Sequence, residues 1–145
     1  MKKLLLIALA VVVSATVFAQ KQDKVLGTWL TQYGDSKVTI KKDSKGTYYG
    51  EVSWLNEPNK NGKPRLDDKN PDPKLKKRPI MGLRLLNGFK YDDGEWVDGT
   101  IYDPKEGKTY KCYMWFDDND YTKLHVKGYI GFSFIGREVV WTKSK

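Results

Sequence analysis

The feature that most limits what this chain can become is a two-residue alternation of apolar and polar side chains, recurring from about residue 25 to the end. In Tyr48-Tyr49-Gly50-Glu51-Val52-Ser53-Trp54, one parity holds Tyr48, Gly50, Val52 and Trp54 and the other holds Tyr49, Glu51 and Ser53. Val38 and Ile40 point one way and Lys37, Thr39 and Lys41 the other. Tyr110, Cys112, Met114 and Phe116 share a face, as do Leu124, Val126, Gly128 and Ile130. Side chains of a strand alternate between its two faces, so these segments read as strands with one buried face. After residue 20 nothing holds a helical period with caps.

Turn chemistry separates the runs: Tyr33-Gly34-Asp35-Ser36, Asp43-Ser44-Lys45-Gly46, Asp92-Asp93-Gly94, Pro104-Lys105-Glu106-Gly107 and Asp117-Asp118-Asn119-Asp120. Strands are expected near 25–33, 37–42, 47–54, 80–86, 95–102, 108–116, 121–130 and 133–142. Short loops imply antiparallel neighbours. About eight such strands make a closed barrel or a sandwich, and sequential hairpins favour an all-β, antiparallel up-and-down β-barrel.

Residues 1–19 read as a cleaved signal peptide: Lys2 and Lys3, the apolar run Leu4–Val13, then Val17 and Ala19 before the cut. The run is too short to span a membrane, and no later segment reaches that length. Residues 20–145 are then one domain, periplasmic or secreted. The whole chain has a formal charge of +8, which leaves +6 after the leader's two lysines. One Cys and one His rule out disulfide frameworks, iron–sulfur clusters and multi-histidine metal sites, so no metal or cofactor is called for. Cys112, on a strand's apolar parity, reads as a buried thiol; an intermolecular disulfide is the alternative.

Leu55 to Pro79 breaks the alternation and holds five of the six prolines. Between Asn56 and Arg78 it carries eight basic residues (Lys60, Lys63, Arg65, Lys69, Lys74, Lys76, Lys77 and Arg78) against four acids, a net +4. Loops this long in a compact domain are usually functional or disordered.

The chain resembles a secreted bacterial family, domain-of-unknown-function family 2147. The resemblance is carried by Gly27-Thr28-Trp29, Gly50-Glu51-Val52-Ser53-Trp54-Leu55, Asp68-Lys69-Asn70-Pro71-Asp72 and Arg78-Pro79-Ile80-Met81-Gly82-Leu83. It continues through Trp96 to Pro104, Gly107 to Tyr110, Leu124 to Gly131, Gly136-Arg137 and Trp141. It implies a lipocalin-like barrel in which Gly27-x-Trp29 opens the first strand, Trp29 plugs one end and Arg137 stacks on that Trp. It carries over no catalytic residue.

The remaining chemistry is sparse. Asp68-x-Asn70-x-Asp72 has the spacing of the first EF-hand ligands, but Pro73 and Pro79 stand where that loop needs Gly and Glu, so Asx-turns are the simpler reading. Glu51, Asp98 and Asp103 are the carboxylates near strands that a hydrolase would need, and Asp98 shares parity with Trp96 and Tyr102. His125 reads as an outward residue. Export and the inward parity of most aromatics argue against nucleic acid.

Three functions remain open. The leading one is non-catalytic binding of a small apolar or amphipathic, lipid-like ligand, with Tyr48, Val52, Trp54, Tyr102, Tyr110 and Met114 lining the cavity and Arg84 meeting an anionic head. The second is an interaction module that meets anionic envelope components through Lys63, Arg65, Lys74, Lys76, Lys77 and Arg78. The third is a hydrolase with an inward carboxylate pair.

Overall fold

Each alternating segment forms a strand. The computed structural model describes residues 20–145, with β1 (Gly27–Leu30), β2 (Ser36–Lys42), β3 (Tyr48–Leu55), β4 (Asn59–Lys60), β5 (Lys63–Pro64), β6 (Arg84–Asp92), β7 (Glu95–Asp103), β8 (Lys108–Trp115), β9 (Lys123–Tyr129) and β10 (Gly136–Lys143). The signal-peptide reading falls on residues 1–19, outside the described residues. Eight strands close a barrel in the order β1-β10-β9-β8-β7-β6-β3-β2, every pair antiparallel. Strands β4 and β5 form a separate hairpin inside the long loop. Several bounds differ from expectation. Strand β6 starts at Arg84 rather than residue 80 and runs on to Asp92, and β10 starts at Gly136, which leaves 130–135 as a turn.

The up-and-down path puts alternate connections at opposite ends. One end is closed. The 3-10 turn Asp23–Val25 crosses it, and Trp29 donates to the Val25 carbonyl at 2.9 Å and Trp96 to that of Gln22 at 3.2 Å. Above this turn Trp29, Tyr48, Trp96 and Phe116 interlock, with ring centroids 5.5–6.4 Å apart. Val38, Ile40, Leu86, Phe89, Met114, Leu124 and Val126 fill the middle, all at 2% exposure or less. Burial of each such side chain contributes roughly 1.5–3 kcal/mol. Gly99 makes a close contact in this core: a Cβ there would lie 2.4 Å from the Phe89 ring, so the ring occupies the space a side chain would take.

The cation on Trp29 is Lys143, not Arg137. Lys143 Nζ stands 4.6 Å above the ring centroid and donates to the Leu26 carbonyl at 2.7 Å. Gly27, at φ 123°, makes room, since a Cβ there would meet Nζ at 2.4 Å. Arg137 lies at the opposite end of β10, with its guanidinium 5.7 Å from the Tyr33 ring centroid.

Four strand irregularities redirect side chains that simple parity had assigned inward. An extra residue at Ser53 shifts the β2–β3 register, so Val52 faces Val38 inside while Trp54 pairs with Lys37 outside and is 38% exposed. In β7 the register shifts between Trp96 and Gly99, where Asp98 has φ 60°. Trp96 and Gly99 therefore face inward, whereas Asp98 is exposed and Tyr102 lies on the outer wall. Two shifts in the β3–β6 ladder place both Leu86 and Phe89 inside and turn Arg84 outward, 3.8 Å over the Tyr49 ring. A one-residue shift moves everything beyond it to the other face.

Candidate functional site at the open end of the barrel

The connections 31–35, 56–83, 104–107 and 130–135 gather at the end away from the Trp29 plug. The long loop among them is ordered by one buried carboxylate. Asp67 is fully buried and accepts from the Tyr102 hydroxyl, from Asn70 Nδ2 at 2.8 Å and from Arg78 Nε at 2.8 Å. Burial pushes the Asp67 carboxyl up, but these three donors outweigh it and hold the group below the usual carboxylate range. Burial, and then Asp67, push the Tyr102 hydroxyl up to about 12. Asn70 Oδ1 accepts from the Asp72 N–H and Asp72 Oδ1 from the Lys74 N–H, so the Asp-x-Asn-x-Asp run makes Asx-turns. The Leu66–Pro79 bridge closes the excursion.

The basic residues named from sequence divide accordingly. Arg78 is spent on Asp67, and Arg65 pairs with Glu57 at 3.0 Å. Lys63, Lys74, Lys76 and Lys77 are exposed and point away from the loop's core.

The cavity-lining set is broken up. Tyr48 and Met114 point inward but are plug and core, 1% and 0% exposed. Tyr102 is under the loop, and Trp54 and Arg84 are on the outer wall. Val52, buried, and Tyr110, half-buried, stay near the mouth. Tyr110 donates to Glu106 at 2.6 Å, which raises its pKa. Val139, Ile101 and Gly128 are also half-buried there, so packing loosens towards this end. Arg137 follows Val139 and Trp141 in parity and opposes Gly128, which sets it on the inward side of the rim. It donates to the Tyr33 hydroxyl and, among the described residues, pairs with no carboxylate. Nearby, Asp35 binds Lys105 at 2.6 Å, a contact that lowers its pKa.

The three carboxylates considered for hydrolysis stand apart. Glu51 pairs with Lys41 on the outer wall, Asp98 is on the bulge, and Asp103 accepts from the Lys105 N–H in a turn. Two open concavities, of about 360 and 370 Å³, lie on the outside of the barrel; the first is lined by Tyr113, Tyr129, Asp98 and Ser133 among others. His125 is outward as its parity implies, yet half-covered: it stacks on Trp115 at 5.2 Å and sits 3.1 Å from both Asp117 and Glu138.

The sequence reading leaves only 131–132 between its last two strands, whereas the turn spans 130–135. Ile130, Phe132, Phe134 and Ile135 are 70%, 68%, 75% and 58% exposed. Ile130, Phe134 and Ile135 fall within strands in that reading. The signal was available: Gly131, Ser133 and Gly136 punctuate the run as a turn does.

A closed eight-stranded antiparallel barrel, plugged at one end by a Gly-x-Trp strand and less tightly packed at the other, is a lipocalin-like barrel. The chain belongs to the DUF2147 family of uncharacterised proteins conserved in bacteria, which it matches over residues 27–143. Among solved structures it is similar to protein HP1028 of Helicobacter pylori, described as belonging to the lipocalin family, with 24% identity, 83% of each chain covered and a TM-score of 0.71. Comparison with curated proteins gives no match. Among the described residues no helix is long and apolar enough to cross a membrane.

Proposed function

We propose that this is an exported, non-catalytic binding protein that takes a small amphipathic, lipid-like ligand at the mouth of its barrel, not along its whole interior. The observation that carries the reading is Arg137, inward at the rim with no carboxylate partner among the described residues, beside half-buried Val139. Arg137 takes the anionic head, a role its fork of donors suits. Val52, Ile101, Val139 and Tyr110 take the apolar part. This is the task that parity gave to Arg84, moved to the strand whose register reaches the mouth. The filled middle of the barrel supports a shallow site. The separation of Glu51, Asp98 and Asp103 supports binding over hydrolysis, which needs two carboxylates facing each other across the bond.

A titration with a fluorescent long-chain fatty acid and the matching alcohol tests this. The acid should bind saturably, and R137Q should weaken it roughly tenfold, the equivalent of about 1.4 kcal/mol, with the alcohol unaffected. No saturable uptake, or equal uptake of acid and alcohol by the wild type, overturns the reading.

A further inference from the structure

The turn between β9 and β10 carries nothing charged from Gly128 to Gly136, and four of its side chains are large, apolar and mostly in water. Monomeric proteins rarely show so much contiguous apolar surface without a use for it. The Phe132 and Phe134 rings stack on each other at 5.5 Å, with no aromatic of the barrel wall as partner. The Ile135 N–H bonds the Phe132 carbonyl at 3.0 Å and closes the turn.

We propose that this tip inserts shallowly into an anionic lipid surface and seats the barrel mouth-down on it. Three features choose lipid over a protein partner. The tip is a convex hairpin end, whereas a groove or flat face is what a folded partner would match. Its surroundings follow the pattern of interfacial proteins: Tyr33 and Trp54, 65% and 38% exposed, stand at the same end, and Arg137 and Lys127 flank the tip on its two strands. Glu138, opposite Lys127, is an acid of that collar, and Glu95 and Asp98 line a concavity with Ser133 of the tip. The third feature is charge polarity. The mouth carries the net-positive 56–78 loop, with Lys63, Lys74, Lys76 and Lys77 exposed, while the connections of the closed end carry Asp93, Asp117, Asp118 and Asp120. An anionic surface attracts the first end and repels the second, so approach and apolar tip are aligned. The inserting residues, Phe132 and Phe134, are no part of the ligand site at Arg137.

The test is flotation with phosphatidylcholine vesicles, with and without phosphatidylglycerol, using the protein purified from its own cells. Binding should need the anionic lipid and fall with salt. F132S/F134S should weaken it by roughly tenfold or more per Phe removed. Tryptophan fluorescence of F132W should shift to the blue on anionic vesicles beyond the wild-type change, and this single substitution at an exposed site leaves the barrel intact. The proposal fails if F132S/F134S floats like the wild type, if F132W shows no added shift while the protein is bound, or if no flotation occurs. It fails equally if the tip variant turns a dimer into a monomer without any vesicle binding, since the tip would then cover a second copy.

Discussion

Asp67 on the long loop accepts a hydrogen bond from the hydroxyl of Tyr102 on the outer wall of β7, and this bond, with Arg78 and Asn70 closing around the same carboxylate, makes a 28-residue connection part of the barrel. The carboxylate is fully buried and every partner is a donor. Ile80 and Leu83 pin the end of the loop to the core, and this cluster holds its middle in one conformation.

The Tyr102→Phe variant leaves that buried carboxylate one donor short and should cost about 1–3 kcal/mol of stability, measured by urea denaturation. The loop should also loosen, so the amides of residues 67–79 should exchange faster than those of the barrel strands. Uniform exchange in the variant would show that the loop is held by other contacts.

The same cluster predicts a pH profile. The Asp67 pKa is lowered in the fold, so its contribution is present above the ordinary value near 3.8 and is lost as pH falls through the lower folded value. The Tyr102 pKa is raised to about 12, so its contribution is full below about 10 and is lost between there and 12. Stability should fall at both edges, and in Tyr102→Phe the alkaline fall should shrink.

The interior should behave as a packed core. Phe89→Ala should cost about 3–5 kcal/mol and open a cavity that binds a benzene-sized apolar ligand, detectable as ligand-dependent stabilisation. Gly99→Ala should be destabilising because its Cβ would meet the Phe89 ring at 2.4 Å. The double variant Gly99→Ala/Phe89→Leu should recover part of that loss. Failure of Gly99→Ala to perturb the fold would mean the middle of the barrel is looser than this.

Cys112 should be inert in the native protein. Burial pushes its thiol up to about 12, and 1% of the residue is exposed. A thiol-specific reagent should label it only after unfolding, and non-reducing electrophoresis should show a monomer. Labelling of the folded protein at neutral pH would contradict this placement.

The closed end should depend on Lys143. Replacing it with Met keeps the apolar stem and removes both the cation over Trp29 and the bond to the Leu26 carbonyl. A loss of about 1–2 kcal/mol in denaturation is expected. The Arg137→Met variant, at the far end of the same strand, should leave stability nearly unchanged.

Alternation and turn residues were enough to read the number of strands, their antiparallel order and the barrel, because both are local properties of the chain. They also placed Val38, Ile40, Tyr48, Val52, Met114 and Cys112 on inward faces correctly. The lining of the site was not legible in the same way. Parity carries across a strand only while the ladder is regular. The extra residues at Ser53 and Asp98 each displaced one residue of the expected lining, Trp54 and Tyr102, to the outside. Nothing local distinguishes such a position from its neighbours, since a bulge is settled by how the partner strand packs.

The sequence by itself determined the barrel, the basic 55–79 loop and its Asx-turns, because periodicity and turn chemistry act over a few residues. Only the tertiary structure decided which cation covers Trp29, what Asp67 is for, and that Ile130, Phe132, Phe134 and Ile135 meet water. Those outcomes depend on residues far apart in the chain, Lys143 with Gly27 and Asp67 with Tyr102, and a contact exists only once the closed barrel has brought its two ends together.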